Sequence, residues 1–512
     1  MAWITGGLAL YVVIVRISFS SPVTSDGANI ALQAWEMLHG HLLLHGWITA
    51  DASFYTFELP LAAIAESLFG LHTAVCHLAS ALTYLIVVAF GVALACTNSR
   101  GPAVAARCAV VVAVLTAPLI TQPGVAILLE APDHIGTAAF LLGCCLLVDR
   151  AAGRGCTPPL LLLILCAGQI GDATVLFVAV PTILLVCAYR LLTDRKIRTA
   201  DAAIAVAAAG SVPLAMLARA AMRYLGGYAI VPPRTEISSP GQWGHHALVT
   251  LQDIRTLFGS TAVDPGTAPG AAASAFGWAC LLAAAFGLVK VIWTWRRASR
   301  AEQLLCVAIL ANVAVYIIST MATTTSAREI AAVLPCGAVL AARGCIPGRI
   351  PGAQRARGVA LAAAALAAVV PLAAAAAQPP ATQAAVPLAA WLEAHRYAYG
   401  IAGYWDASPV TLQSGNRVTV RAVNWQNEEF VPYYWETKPQ WYASSRHRAT
   451  FVIADPIRAY PYDDFTAADV EQYFGRPAAI YRVTDHEILV YRKNLLRRLA
   501  APFVPSPTGK TE

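Results

Sequence analysis

The sequence predicts an all-α polytopic membrane bundle of about eleven transmembrane helices, followed by a C-terminal extracytoplasmic α/β domain. Three observations predict this class. Apolar residues fill 58% of the 512 positions, charged residues only 13%, and mean hydropathy is +0.59; a soluble domain carries nearly twice that charge. The apolar residues fall in runs of spanning length or nearly so. From about Gln378 the runs stop, and strand-like and helix-like segments alternate instead. A chain this apolar buries its surface in lipid, because an aqueous core of this size would break into several domains with more polar surface. The expected division is a bundle over 1–377, with outer loops 20–71 and 219–271, and a second domain over 378–512.

In chain order the candidate spans lie at about 2–19, 72–96, 108–120, 135–148, 159–171, 174–190, 202–218, 272–293, 303–320, 329–342 and 358–377. The shorter ones need oblique packing or shelter by neighbours in a hydrocarbon core of about 30 Å. The first run begins at Met1 without a basic leader, so it reads as a retained span. Basic residues collect in alternate loops: Arg100 and Arg107; Arg150 and Arg154; Arg190, Arg195, Lys196 and Arg198; Arg296, Arg297 and Arg300; Arg343, Arg349, Arg355 and Arg357. That alternation places Met1 in the cytoplasm and the C-terminal domain outside. The formal charge of +7 is therefore orienting charge, and nucleic-acid binding is set aside. The 12 cysteines lie between Cys76 and Cys345 with no metal-binding spacing, and read as small buried hydrophobes.

The outer loops hold most acidic and aromatic residues outside the tail. Asp26 to His39 places Ile30, Ala31, Ala34, Trp35 and Leu38 at helical spacing, with Asn29, Gln33 and Glu36 opposite, which predicts an amphipathic interfacial helix. A second helix is expected after Glu58-Leu59-Pro60. In the tail, Val410–Leu412 and Arg417–Val420 read as a hairpin around Ser414-Gly415-Asn416, and Ala449–Ile453 and Ile488–Tyr491 as buried strands. Phe465 to Phe474 reads as a helix with Thr466 at its N-cap and Gly475 beyond its end.

No phosphate loop, nucleophile elbow or His-Glu-x-x-His site is present in the sequence. The chemistry-bearing groups are Asp26 after the first span, Glu130-Ala131-Pro132-Asp133-His134 before the fourth, Asp172, and Arg328-Glu329 after Thr323-Thr324-Thr325-Ser326. Two readings stand for Asp26 and Asp133: each caps a helix, or each faces an outer site. Asp133 and His134 could share a cation or a proton. Arg328 could pair with Glu329, snorkel, or clamp a lipid phosphate through two parallel hydrogen bonds.

This layout resembles the C-type (GT-C) glycosyltransferase superfamily, whose members use polyprenyl-phosphate sugars. The resemblance rests on spans 1 to 11 and on the first loop, Leu32-Gln33-Ala34-Trp35-Glu36-Met37-Leu38-His39-Gly40 followed by Phe54-Tyr55-Thr56-Phe57-Glu58-Leu59-Pro60. It implies that Asp26 is the essential carboxylate and that Arg328, with Glu329, holds the carrier phosphate. Asn29, Gln33 and Tyr55 become substrate-binding candidates, and Asp133 with His134 become ligands for a divalent cation, Mg or Mn. It also implies a polyprenyl-phosphate-linked sugar as donor, an envelope glycan or protein as acceptor, and the lipid bilayer as medium. Where many members carry paired acids, this chain has Ser25-Asp26, a single carboxylate. Tyr404-Trp405-Asp406 is faintly similar to the Trp-Trp-Asp of oligosaccharyltransferases; a buried aromatic pair beside a turn is the competing account. The Ala-rich composition and the tail resemble actinobacterial membrane proteins. The alternatives are a transporter or flippase, with Asp26, Asp133 and Asp172 binding a coupling ion, and a noncatalytic envelope scaffold.

Overall fold

The computed structural model of the chain describes residues 2–150, 156–193, 198–232, 235–261, 267–348, 369–457 and 464–500. Its first part is helical: α1 (Ala2–Ser18), α2 (Ser25–Leu38), α3 (Glu58–Phe69), α4 (Ala74–Cys96), α5 (Pro102–Thr116), α6 (Gln122–Leu129), α7 (Ile135–Asp149), α8 (Thr157–Gly171), α9 (Thr174–Thr193), α10 (Arg198–Tyr224), α11 (Trp243–Leu257), α12 (Ala268–Trp293), α13 (Arg300–Ile318), α14 (Val333–Cys345) and α15 (Val369–Ala376). Among the described residues, five helices are long and apolar enough to cross a bilayer: Ala74–Cys96, Thr174–Thr193, Thr199–Tyr224, Gly270–Trp293 and Arg300–Ile318. Each other candidate span has a shorter helix at its place. The last of them, 358–377, lies largely outside the described residues, and only Val369–Ala376 is seen.

Local chemistry sets the helix starts. Proline occupies the first turn of α5 and α8, where its missing N–H costs nothing, and Ser299 with Glu302 forms a capping box at α13. Only 28% of the apolar window in Gly270–Trp293 is buried. Its outward side chains, including Leu282, Phe286 and Trp293, therefore have lipid as their remaining solvent.

The loop after α1 departs from the interfacial helix expected there. Helix α2 forms, but Asn29 and Gln33, expected on its polar face, are buried along with Ile30, Ala31 and Ala34. A helix apolar on one side and buried on both must satisfy its polar groups internally. Here the tail domain does so for Asn29, through Ser408 and Glu436, and it packs on α2 as α3 and α4 do. The connection is reinforced where β1 (Ile48–Thr49) pairs in parallel with β2 (Ala229–Ile230) and Ile48 bridges Thr437. Lys438 also pairs with Glu36.

The tail begins with α16 (Ala385–Ala394), β3 (Tyr399–Ala402), α17 (Tyr404–Gln413), β4 (Thr419–Gln426), β5 (Glu429–Pro432) and β6 (Phe451–Ala454). It ends with α18 (Ala467–Phe474), β7 (Ala479–Val483) and β8 (His486–Val490). The strand order is β5-β4-β3-β6-β8-β7, with β3 parallel to β4 and β6 and the outer pairs antiparallel. Alternation along the strands builds two cores. Ile401, Val452 and Leu489 face α18, while Ala402, Phe451, Ile453 and Ile488 face α16 and α17. The expected strands at Ala449–Ile453 and Ile488–Tyr491 appear as β6 and β8, and Thr466 and Asp469 form a capping box at α18. The hairpin around Ser414-Gly415-Asn416 does not form. Val410–Leu412 ends α17, and only 419–426 is strand; Gly415 and Asn416, at φ 60° and 63°, turn the chain out of a helix rather than between two strands.

Candidate active site

Side chains far apart in sequence meet where the start of α2, the end of α6 and the turn Ala327–Ile330 converge. Asp26 lies in the first turn of α2, whose N-cap is Thr24, and no side chain caps that helix. Asp133 does not cap α7. His134 precedes α7 at φ 56°, and Glu58 of α3 accepts the Gly136 N–H at 3.0 Å. A Cβ at position 136 would lie 2.2 Å from that Glu58 oxygen, so the approach requires glycine. The capping reading thus fails for both acids.

Arg328 Nη1 donates to Asp133 Oδ2 at 2.5 Å and to Asp26 Oδ2 at 3.3 Å. Asp26 and Arg328 face a cavity of about 540 Å³, along with Ile127, Glu130, Glu329 and Trp405. One guanidinium among several carboxyl groups leaves excess negative charge. Burial raises Glu130 to about 7, with Arg328 pulling it down and Asp26 and Asp133 pushing it up. Burial and the Asp26 carboxylate raise Asp133 to about 6 against the opposing pull of Arg328. Asp133 Oδ1 is buried with no hydrogen-bond partner.

Asp133 and His134 turn to different partners. His134 Nδ1 lies 2.8 Å from Asp172 Oδ2, and its Nε2 lies 3.5 Å from Glu329 Oε1. Burial opposes the imidazolium, but Glu329 and Asp172 outweigh it and raise His134 well above its ordinary value. Asp172, despite its own burial, is held at about 2 by His134, Thr137 and Thr174. An imidazolium offers a metal no lone pair, so His134 does not fit a cation in this arrangement. Asp133 keeps one carboxylate oxygen without a partner, but it is not among the residues that line the cavity.

The other candidates divide. Glu329 lines the cavity. Asn29 lies behind it, donating to Glu436 Oε2 at 2.9 Å and accepting from Ser408 at 2.7 Å. Gln33 is buried in α2. Tyr55 donates to the Leu42 carbonyl at 2.9 Å and packs on Tyr228, and it is not part of the cavity lining.

The sequence reading missed Glu436 and undervalued Tyr404. Tyr404 Oη lies 2.6 Å from Asp26 Oδ1 and 2.8 Å from Glu436 Oε2, and Ser25 donates to the Tyr404 carbonyl. The Tyr404-Trp405-Asp406 triplet was the available signal: Tyr404 reaches Asp26, and Trp405 lines the cavity.

A separate group occupies one end of the tail sheet's interior strands. Asp406 after β3, Asp455 after β6 and His486 of β8 bring one ligand-type atom each within 4.8 Å of one another. His486 Nε2 lies 3.3 Å from Asp406 and 3.6 Å from Asp455. Burial lowers His486, but its bond to Asp406 and the neighbouring carboxylates prevail and raise it to about 9. A proton bound more tightly in the folded state stabilises the fold fully below the ordinary histidine value of 6.5 and is lost as pH rises through about 9. Asp455, raised to about 8 by burial and Asp406, acts in the same direction. A fragment spanning 385–500 should melt cooperatively, with a Tm that falls as pH rises from about 4 to about 9, and the fall between pH 6.5 and 9 should be shallower in His486→Gln. A non-cooperative melt would show that the fragment depends on the bundle.

Crystal structures of ArnT from Cupriavidus metallidurans, one bound to undecaprenyl phosphate and one in the apo state, match with TM-scores of 0.58 and 0.55. Sequence identities are 14% and 13%, and each match covers 98% of this chain and 99% of the other. The Archaeoglobus fulgidus oligosaccharyltransferase in complex with Zn and sulfate matches with a TM-score of 0.51 at 12% identity, over 87% of this chain and 67% of that one. No protein-family model and no curated protein matches the chain.

Proposed function

The chain has the GT-C fold of multi-pass membrane proteins, and we propose that it is a membrane glycosyltransferase moving a sugar from a polyprenyl-phosphate donor to a cell-envelope acceptor on the extracytoplasmic side. One observation carries this reading: Asp26 and Arg328, 302 residues apart in sequence, meet at one cavity. The carrier chain would lie in the bilayer and its phosphate beside Arg328. The acceptor hydroxyl attacks the anomeric carbon, Asp26 takes the hydroxyl proton, and the bond from that carbon to the phosphate oxygen breaks. Arg328 stabilises the charge left on the phosphate. A divalent cation, if held at Asp133, would supply further charge neutralisation there. Glu329 is proposed to bind substrate from the cavity wall. Asn29 acts from behind the site, and Gln33 and Tyr55 stand away from the cavity lining.

Undecaprenyl phosphate should raise the melting temperature of the purified protein in lipid, because a ligand that binds only the folded state stabilises it by mass action. The shift should vanish in Arg328→Ala. An equal shift in both would remove Arg328 from the phosphate site.

The orientation is tested separately. Arg107, Arg300 and Arg343 bond at the bundle end opposite Arg328: Arg107 to the Ile346 carbonyl, Arg300 to Asp201 and Arg343 to the Leu94 carbonyl. Reporter fusions after Arg154, Arg198 and Arg300 should report cytoplasm, and fusions after Gly266 and Gln413 the outside. A cytoplasmic signal at Gln413 would overturn the placement of the tail.

A further inference from the structure

Tyr404 carries a single hydroxyl hydrogen, yet its oxygen lies within hydrogen-bond distance of two carboxyl groups, 2.6 Å from Asp26 and 2.8 Å from Glu436. If both carboxyls were ionised, one of these contacts would set lone pair against lone pair. One carboxyl must therefore carry a proton. Asp26 is a fifth exposed and shares the Arg328 guanidinium. Glu436 is only 5% exposed. Its hydrogen-bond partners are the neutral Asn29 amide and the Tyr404 hydroxyl, with the Asp26 carboxylate on the far side of that hydroxyl. A buried carboxylate without a cationic hydrogen-bond partner, facing a second carboxylate, is far costlier than a buried carboxylic acid. The proton belongs on Glu436.

The bond directions then follow. Asn29 Oδ1 accepts from Ser408 Oγ at 2.7 Å and its Nδ2 donates to Glu436 Oε2 at 2.9 Å, as an Oε2 whose own hydrogen goes to Tyr404 requires. The Glu436 proton points to Tyr404 Oη, and the Tyr404 hydrogen points to Asp26 Oδ1. Every donor in the row points along it toward Asp26. The row begins in the tail domain at Ser408, crosses to α2 and back, and ends on the oxygen of Asp26 other than the one Arg328 holds.

We propose that Glu436 is a neutral carboxylic acid that acts as a positioning residue for Asp26, through a one-way hydrogen-bond chain running Ser408, Asn29, Glu436, Tyr404, Asp26. The chain fixes the carboxylate with Oδ2 toward Arg328 and the cavity, so the tail domain completes the site. The fold of the bundle places Asp26; the tail orients it. The proposal rests on Asp26 being the reacting carboxylate, but its decisive readouts do not need turnover.

The test is infrared difference spectroscopy on the full-length protein in lipid at pH 7. Wild type minus Glu436→Gln should show the C=O stretch of a protonated carboxylic acid. Wild type minus Asp26→Asn identifies the Asp26 carboxylate stretch. That stretch should shift in Tyr404→Phe and in Glu436→Leu, and shift less in Glu436→Gln, whose amide donates to Tyr404 once the Asn29 amide turns over to accept from it. Where sugar transfer is measurable, Glu436→Leu should lower it about 10²-fold, the scale of a misplaced reacting group, and Glu436→Gln should recover most of that loss. Absence of an acid band at Glu436 overturns the proposal, as does an Asp26 stretch indifferent to Tyr404→Phe. If Glu436→Leu fails to fold, the volume-matched Gln and Phe variants still decide. Predicted bands in a protein that transfers no sugar would sink the transferase reading and leave the hydrogen-bond chain standing.

Discussion

Asp26→Asn is expected to lower sugar transfer by about 10²- to 10⁴-fold, the usual worth of a general base, while the protein stays folded and inserted. Asn matches Asp in size and is about equal to it as a capping residue. Asp26 caps nothing in any case, since Thr24 holds that position and no side chain caps α2. The amide can still accept from Tyr404, but it cannot take the acceptor's proton. Activity and stability therefore separate in one substitution: the melting temperature should change little while transfer collapses. Equal transfer by wild type and Asp26→Asn would mean that the carboxylate does no chemistry.

Arg328→Ala is expected to be nearly as severe, with a loss of about 10²- to 10³-fold, comparable to removing a donor from a site where charge develops in the transition state. Its second effect concerns the resting site. Asp133, raised to about 6 by burial and Asp26, loses the guanidinium that restrains it, and should take up a proton at still higher pH. Arg328→Lys should lie between, because an ammonium keeps the charge but cannot hold two acceptors in a planar fork. The measurement is the transfer rate of the three forms with saturating donor, with thermal melting as the control for folding. A wild-type rate in Arg328→Ala would place the phosphate elsewhere.

Much of this arrangement was legible in the sequence, and the boundary is physical. Apolar runs and alternating arginines depend on local composition, so the helices stand close to their expected places, and Asp26, Asp133 and Arg328 drew attention because each lies in a loop at the end of an apolar run. The partner of each acid was not legible. Glu436 sits 410 residues beyond Asp26 in the sequence. Nothing in its neighbourhood, Tyr433-Tyr434-Trp435-Glu436, reveals that it is buried against α2. Asn29 and Gln33 looked like a wet helix face because periodicity shows that one side is polar, not what covers it. Glu58 stands in for the expected Asp133 cap because Gly136 lets a carboxylate from another helix come close. The false hairpin at Ser414-Gly415-Asn416 has the same origin, since two left-handed residues end a helix as readily as they turn a strand.

The central claim is that a polyprenyl-phosphate sugar is consumed at the Asp26–Arg328 cavity. It is tested most directly by incubating the purified full-length protein in lipid with polyprenyl-phosphate-linked sugars and a cell-envelope extract, and following the donor by mass spectrometry. The account predicts that one donor disappears with stoichiometric release of free polyprenyl phosphate, that this requires the extract, and that Asp26→Asn abolishes it. Every donor remaining intact with the folded wild-type protein, or donor loss at the same rate in Asp26→Asn, would contradict it.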